Sequence, residues 1–408
     1  MKKLLFLAAS LMIFALKGQV WQPVGGGLGV NTIYDHYIAS TRNNNKLYVA
    51  YSNASNNGST ITRKTKVEIW NGISWNSLPT LPSTDFEVRD IEILNDTVYI
   101  VGTDYGSNAN EILHSFDGST WQTYSAPNFS GIAYGLSKHN GNLLVTGAFS
   151  MTFTGDYLVK FQNGAFQPYG SFVGSSGLNA VTNTVVVNNE LYAGAGAATG
   201  LANGVWKYDQ ANNSWSSHAY FLQGTSTVNL PLRVHNYKDR LYASEASGLH
   251  GSSLFEVKND TLYFIGIINH SVTDFDTLNG TGYFIGDTLG SSVGSVSMTM
   301  FDGMALSPVL NTPVDLQQIE VLGSTLYAFS IVTSSFKGTV FNHAFKTEFS
   351  NYALVNGIVY NDSNGNCVLN SGEDIYKQVT CVISGKPVHT NNIGYFSLKV
   401  IPGIYQWD

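Results

Sequence analysis

Beyond residue 18 the chain runs in short apolar and polar segments broken by turn residues, and no stretch repeats its apolar positions at helical spacing. One strand signature recurs: a turn of Asn, Asp, Gly, Ser or Lys, then an apolar residue, usually an aromatic, and another apolar residue. It stands at NNKLYVA (Leu47), NDTVYIVG (Val98), NGNLLVTG (Leu143), NNELYAG (Leu191), KDRLYAS (Leu241), NGTGYFIG (Gly282) and GSTLYAFS (Leu326), in steps of 41 to 51 residues.

A second signature follows most of the first ones: an apolar strand, an Asn-Gly or Asp-Gly type of turn, and an aromatic strand. It pairs Trp70 with Trp75, Phe116 with Trp121, Phe161 with Phe166 and Tyr208 with Trp215. Weaker copies pair Val257 with Leu262 and Phe301 with Met304, and a last one lies in TVFNHAF near Phe341. Asn-Gly and Asp-Gly accept positive φ and so make tight hairpins. The repeating unit is therefore about 45 residues of three or four short antiparallel strands, the content of a propeller blade that buries its faces only against its neighbours.

The expected fold class is all-β: a β-propeller of about seven blades over residues 19–350, with six or eight also compatible, followed by a small β-sandwich over residues 351–408. Trp21-Gln22-Pro23-Val24-Gly25 reads as a lone copy of the closing aromatic strand. It predicts that the N-terminus completes the last blade near residues 326–348 and removes the last free sheet edge.

Composition agrees with many strands on tight turns. Charged residues make up 12% of the chain, against about 25% in ordinary proteins, while there are 41 Gly, 23 Tyr and 22 Phe. Net charge is −7, and Arg63-Lys64-Thr65-Lys66 is the one basic run, so a nucleic-acid partner is not expected. Lys2 and Lys3 precede Leu4 to Leu16, apolar except at Ser10, and Lys17-Gly18-Gln19 follows. This is the pattern of a secretory signal over residues 1–18. No later run is long enough to span a bilayer, so the expectation is a secreted or cell-surface protein without a transmembrane segment after cleavage.

Catalytic patterns are scarce. The histidines, His36, His114, His139, His218, His235, His250, His270, His343 and His389, include no pair at zinc-helix spacing and read as surface or turn residues. Gly25-Gly26-Gly27-Leu28-Gly29 lacks the strand and helix that a phosphate loop needs. Asp35, Asp85, Glu87, Asp90, Asp156 and Asp274 are the carboxylates that would have to converge at a propeller mouth for glycosidase chemistry. Trp75, Trp121 and Trp215 recur once per blade, which assigns them to contacts between blades. Tyr105 and Tyr134 do not recur and are the better surface candidates.

A different module starts near residue 351. Asp362, Asn364, Asn366, Asn370 and Glu373 place oxygens at positions 1, 3, 5, 9 and 12 of a twelve-residue loop, with the Val368 carbonyl at position 7. This is the spacing of a calcium loop, although Cys367 stands where a glycine usually permits the sharp turn. With two anionic ligands the affinity expected is weak, about 0.1–1 mM. Cys367 and Cys381 are the sole cysteines and in an exported protein form a candidate disulfide. The chain stops at Gln406-Trp407-Asp408, where a strand would continue, which suggests a longer natural protein.

Two resemblances add to this reading. In blade length and aromatic-ended hairpins the repeats resemble Kelch-like and galactose-oxidase-like propellers, without the Kelch double glycine. Ser115, Asp117, Gly118 and Trp121 resemble a sialidase Asp box but fall one residue short. No propeller cysteine is present for a galactose-oxidase-like copper site, and Arg42, Arg63, Arg89, Arg233 and Arg240 are the arginines from which a sialidase-like trio would have to be drawn. From Asn356, Gly357-Ile358-Val359-Tyr360, Asp362, Asn364, Asn366, Gly372 and Glu373 resemble the B-repeat-like, prealbumin-like modules of bacterial surface adhesins. That resemblance implies a spacer stiffened by calcium, and the whole resembles exported surface proteins of Bacteroidetes-type bacteria. The expected function is a non-enzymatic binding or adhesion protein for a glycan or an extracellular protein. The alternative is an extracellular polysaccharide-active enzyme using carboxylates at the propeller mouth.

Overall fold

The computed structural model describes residues 21–29, 37–56, 61–83, 85–106, 111–126, 128–151, 155–173, 178–197, 204–220, 232–245, 251–286, 297–309, 315–330, 334–336, 339–348, 353–361, 371–383 and 386–400. Among these residues every regular element is a strand. Seven sheets, antiparallel throughout except where the short strand Ser171–Phe172 pairs in parallel with Ser214–Tyr220, form the blades of a β-propeller. Their innermost strands are Ile38–Asn43, Phe86–Leu94, Ser130–His139, Leu178–Val187, Leu232–Tyr237, Asp274–Leu278 and Leu316–Leu322, in blades 1 to 7.

Each innermost strand turns into the second strand through two residues. In blades 1 to 6 both turn residues have positive φ: Asn44 and Asn45, Asn95 and Asp96, Asn140 and Gly141, Asn188 and Asn189, Lys238 and Asp239, Asn279 and Gly280. Such turns match the right-handed twist of the strands they join, and Asn, Asp and Gly adopt them at least cost. The first sequence signature is thus the hairpin nearest the axis, repeated around the ring.

The cores lie between blades. Ala39, Ala50 and Val67 of blade 1 pack with Val88, Ile91, Ile100 and Phe116 of blade 2, all buried. Removing these faces from water is the main favourable term, so a blade has no stable existence apart from its neighbours.

Ring closure follows the sequence expectation. Gln22–Pro23 is the outer strand of blade 7, with Gln22 opposite Lys346 and Pro23 opposite Phe345. Val24, fully buried, then joins Tyr327, Phe329 and Ala344 of blade 7 to Leu47, Val49 and Trp70 of blade 1. The Trp75 indole Nε1–H donates to the Val24 carbonyl at 2.9 Å. Two other blades repeat this bond: Trp121 donates to Pro79 at 2.7 Å and Trp215 to Tyr169 at 2.7 Å. The once-per-blade tryptophans are therefore clamps onto the preceding blade. Gly25, at φ 59°, lies where a Cβ would meet Trp70 at 2.9 Å, so the closing turn admits no larger residue without a shift.

Two hairpins depart from the sequence reading. TVFNHAF is not an outer hairpin: Ala344–Glu348 is the third strand of blade 7, while Ser334–Phe336 and Thr339–Phe341 form a separate two-stranded pair. The apolar alternation of this segment suits both arrangements, and only the N-terminal strand decides between them. In blade 6 the outer strand is Leu306–Pro308, and Met304 stands exposed in the turn before it.

Beyond the ring, Ala353–Ile358 pairs with Tyr395–Val400, and Thr380–Ile383 with Lys386–His389. Tyr360 bridges to Ile375, the Asn361 N–H donates to the Asp374 carbonyl at 2.8 Å, and Tyr376 N–H donates to Val359 at 2.8 Å. Val359 to Asn361 and Asp374 to Tyr376 are thus held side by side. Among the described residues, no helix is long and apolar enough to cross a membrane.

Candidate functional site

The strands of every blade run between two unlike faces. One carries the two-residue turns. The other, the loop face, receives the ends that bound the longer connections, such as Tyr220 and Leu232, or Ile285 and Met298.

On the loop face, blades 1 and 2 assemble a charged and aromatic rim. Arg63 lies near the start of Ile61–Trp70, Asp85 and Glu87 at the entry to Phe86–Leu94, and Tyr105 just past Thr97–Asp104. The Arg63 backbone N–H and guanidinium both donate to Asp85 Oδ1 at 3.0 Å, and its Nε lies 3.2 Å from Glu87 Oε2. Glu87 also pairs with Arg89 at 2.5 Å. Each guanidinium lies under a tyrosine ring, Arg63 at 4.2 Å from the Tyr105 centroid and Arg89 at 3.6 Å from Tyr37. Tyr105 is 48% exposed and Tyr37 40%. The Tyr105 position is set by its N–H donating to the Asp85 backbone carbonyl at 2.9 Å and by the Asp104 carboxylate, which accepts from the Gly106 N–H at 2.6 Å.

Why Arg89 points there is a matter of register. The pairing of the first two strands of blade 2 slips between Val88 and Asp90, which makes Arg89 a bulge residue. The same slip, six residues before the turn, falls at Tyr134 in blade 3, Thr182 in blade 4 and Gln317 in blade 7. A bulge re-aims its extra side chain. Thr182 and Gln317 use this freedom to bond the next blade, Thr182 onto the Leu232 carbonyl and Gln317 as acceptor for Ile38 N–H at 3.4 Å. Tyr134 is left 37% exposed.

Deeper in the channel the carboxylates are structural. Asp90 accepts from Ile91 N–H at 2.8 Å and, across the blade boundary, from Leu136 N–H at 2.7 Å. Asp274 repeats this with Phe275 at 2.8 Å and Ile319 at 2.9 Å. At the equivalent position of blade 4, Asn183 accepts from Val234 N–H at 2.9 Å. A carboxamide doing the same work shows that the position needs an acceptor for the next blade's edge, not a charge. Burial pushes Asp90 and Asp274 each up to about 7, against the opposing pull of those backbone donors. Arg233, half-buried at this level, feels both charges, and its Nε has no hydrogen-bond partner. With Asn183, Asn236, Asp274 and Asp276 it lines a cavity of about 260 Å³. At the turn-face end Arg42 pairs with Asp276 and lies 3.5 Å from Glu320.

The sequence candidates therefore separate. Asp85 and Glu87 share the rim, Asp90 and Asp274 sit deeper, and Asp156 is exposed on the second hairpin of blade 3. Asp35 lies outside the described residues. The five arginines do not form a trio: Arg63 and Arg89 share the rim, Arg42 and Arg233 occupy the channel, and Arg240 pairs with Glu256 at 3.2 Å. The expectation of surface histidines is corrected, because His114, His139, His235, His270 and His343 are buried. Burial pulls His114 and His270 down to about 4 and His235 to about 3, so each is a neutral polar filler; His235, for example, bonds Ser244 at 2.8 Å. Of the calcium-type ligands, Asp362, Asn364, Asn366, Val368 and Asn370 lie outside the described residues, as does Cys367. Glu373 is half-buried beside Gly372, whose φ is 96°.

No family model matches this chain, and no curated protein matches it. Solved structures do. The computationally designed Ika8 protein is 10% identical with a TM-score of 0.47, covering 79% of this chain and 99% of its own. An extracellular domain assigned to a hybrid two-component system of B. thetaiotaomicron is 11% identical with a TM-score of 0.49, covering 92% of this chain and 49% of its own. A Trypanosoma rangeli sialidase in complex with sialic acid is 12% identical with a TM-score of 0.38, covering 77% and 54%. At these identities and scores none lends its activity to this chain.

Proposed function

We propose that this chain is an exported, non-enzymatic binding protein that engages a glycan or an extracellular protein through the loop face of its propeller. The observation that carries the reading is the rim itself: two exposed tyrosines, each seated on an arginine that is fixed by a carboxylate. Rigid aromatic rings beside a few placed polar groups are the usual make-up of a recognition surface. The channel carboxylates point away from acid–base catalysis, since both oxygens of Asp90 and of Asp274 already accept backbone N–H bonds.

The Kelch-like, Bacteroidetes-type and B-repeat-like resemblances support secretion or surface display, with the C-terminal module as a spacer stiffened by calcium at Asp362, Asn364, Asn366, Val368, Asn370 and Glu373. The bridge between Tyr360 and Ile375, on either side of residues 362–373, supports the ion-loop reading. A Cys367–Cys381 disulfide would pin that loop to a strand, and unchanged gel mobility on reduction would dismiss it.

The deciding experiment incubates the full chain with polysaccharides and matrix proteins and assays the same tubes for retained protein and for released oligosaccharide by mass. Retention without products supports binding. Released products overturn it.

A further inference from the structure

We infer that the rim formed by Tyr37, Arg89, Glu87, Arg63, Asp85 and Tyr105 is a subsite for neutral pyranose residues of a glycan, and not for an acidic sugar or a protein segment. The inference rests on the loop-face binding reading and adds the ligand class.

Three features lead there. First, a guanidinium covers one face of each ring, at 3.6 Å for Tyr37 and 4.2 Å for Tyr105, and the two residues still keep nearly half their surface exposed. A flat, fixed aromatic face suits the C–H face of a pyranose, which is apolar and planar over several carbons. Second, the charges are already balanced. Arg63 is held by Asp85 at 3.0 Å and Glu87 at 3.2 Å, and Arg89 by Glu87 at 2.5 Å. An incoming carboxylate or sulfate finds two cations matched by two anions and would have to displace a paired, nearly buried carboxylate, which is costly. Sugar hydroxyls both donate and accept, and paired carboxylates and guanidiniums offer both roles without a change of charge. Third, a protein interface centres on a desolvated apolar core, whereas these two rings are joined by an ion-pair network. Among the described residues, three exposed apolar side chains close in sequence, Tyr263, Phe264 and Ile267, lie elsewhere, on the outer strand of blade 5.

The test is affinity electrophoresis of the full chain in native gels containing a neutral β-glucan, a neutral galactomannan, polygalacturonate or heparin, with unglycosylated serum albumin in a parallel pull-down. Retardation is expected in a neutral-polysaccharide gel and should persist in about 0.5 M NaCl, where exposed charge attraction is screened. Tyr37→Ala and Tyr105→Ala should each weaken it about tenfold, the scale of one lost ring contact. Tyr37→Phe and Tyr105→Phe should retain more than their alanine counterparts. Tyr263→Ala, on the flank of blade 5, should leave retardation unchanged, and thermal melts should confirm that every variant is folded. Retardation confined to polygalacturonate or heparin, or neutral retention indifferent to both tyrosines, overturns the inference. Albumin captured through Tyr37 and Tyr105 overturns the glycan class and leaves the loop-face reading standing. Retention of no probe of any class counts against both.

Discussion

The two faces of the propeller obey different rules. On the turn face, six innermost hairpins are closed by two residues of positive φ, drawn almost entirely from Asn, Asp and Gly. On the loop face the connections differ in length and share no composition, as between Tyr220 and Leu232 or between Ile285 and Met298. Local backbone chemistry dictates the first face. The second is relieved of that duty because the blade walls and the turns already hold the ring. The lesson is a division of labour: walls and turns carry stability, and the loop-face rim is free to carry recognition.

The largest effect should come from a wall. Trp215 is fully buried, stacks on Phe172 at 5.3 Å and donates its indole N–H to the Tyr169 carbonyl. Trp215→Ala should cost about 4 kcal/mol, read as a lower urea midpoint. The ligand selectivity of the folded fraction should not change. A change in selectivity would break the division of labour.

Next comes the channel. Asp274 is an acid whose folded pKa, about 7, lies above its unfolded value. Between about pH 4 and 7 the folded state holds a proton that the unfolded chain has released, so stability falls as pH rises through that window. Asp274→Asn keeps an acceptor for the Ile319 N–H, as Asn183 does for Val234, and gives up the one for Phe275; relative to the parent it should gain on the order of 2 kcal/mol between pH 4 and pH 8. His114, His235 and His270, depressed by burial, act in the opposite sense and lose stability as pH falls below about 6.5. Urea unfolding at pH 5 and pH 8 separates the two, and a gap independent of pH would acquit the carboxylate.

What could be read from the sequence follows the same division. The blade repeat, the hairpin turns and the N-terminal closing strand were legible because each rests on local chemistry: Asn and Gly at positive φ, and an aromatic strand left over at Trp21 to Gly25. The carboxylates were legible as residues but not as partners. Asp90 and Glu87 are three apart in sequence, yet one bonds blade 3 at Leu136 and the other bonds the arginines of the rim. A register slip at Arg89 separates them, and no residue type marks such a slip. Counting back six residues from each Asn-rich turn would have found Arg89 and Tyr134, once one bulge position was known. The buried histidines were misread because a neutral imidazole bonded to Ser or Thr leaves no periodic trace.

A turn-face substitution should have a smaller effect than either of these. Asn189 holds φ 63° as the second residue of its hairpin. Asn189→Ala should cost about 1 kcal/mol, because a Cβ without a local hydrogen-bonding group disfavours that region. Asn189→Gly should recover most of it. The urea midpoints of the pair check this, and equal loss in both would mean that the side chain matters more than φ.

The smallest effect on stability is the most informative. Tyr37 and Tyr105 stand on the loop face with nearly half their surface in water. Their cation–π contacts are at exposed positions, each worth about 0.5–1 kcal/mol. The guanidiniums beneath them keep their carboxylate partners when a ring is removed. Tyr37→Ala and Tyr105→Ala should therefore shift the urea midpoint by less than Asn189→Ala does, while removing most of the retention on ligand. A residue that costs little folding energy and much binding is what the division of labour requires on this face. If either alanine instead destabilises the ring as Trp215→Ala does, that tyrosine belongs to the wall and the rim loses its claim to recognition.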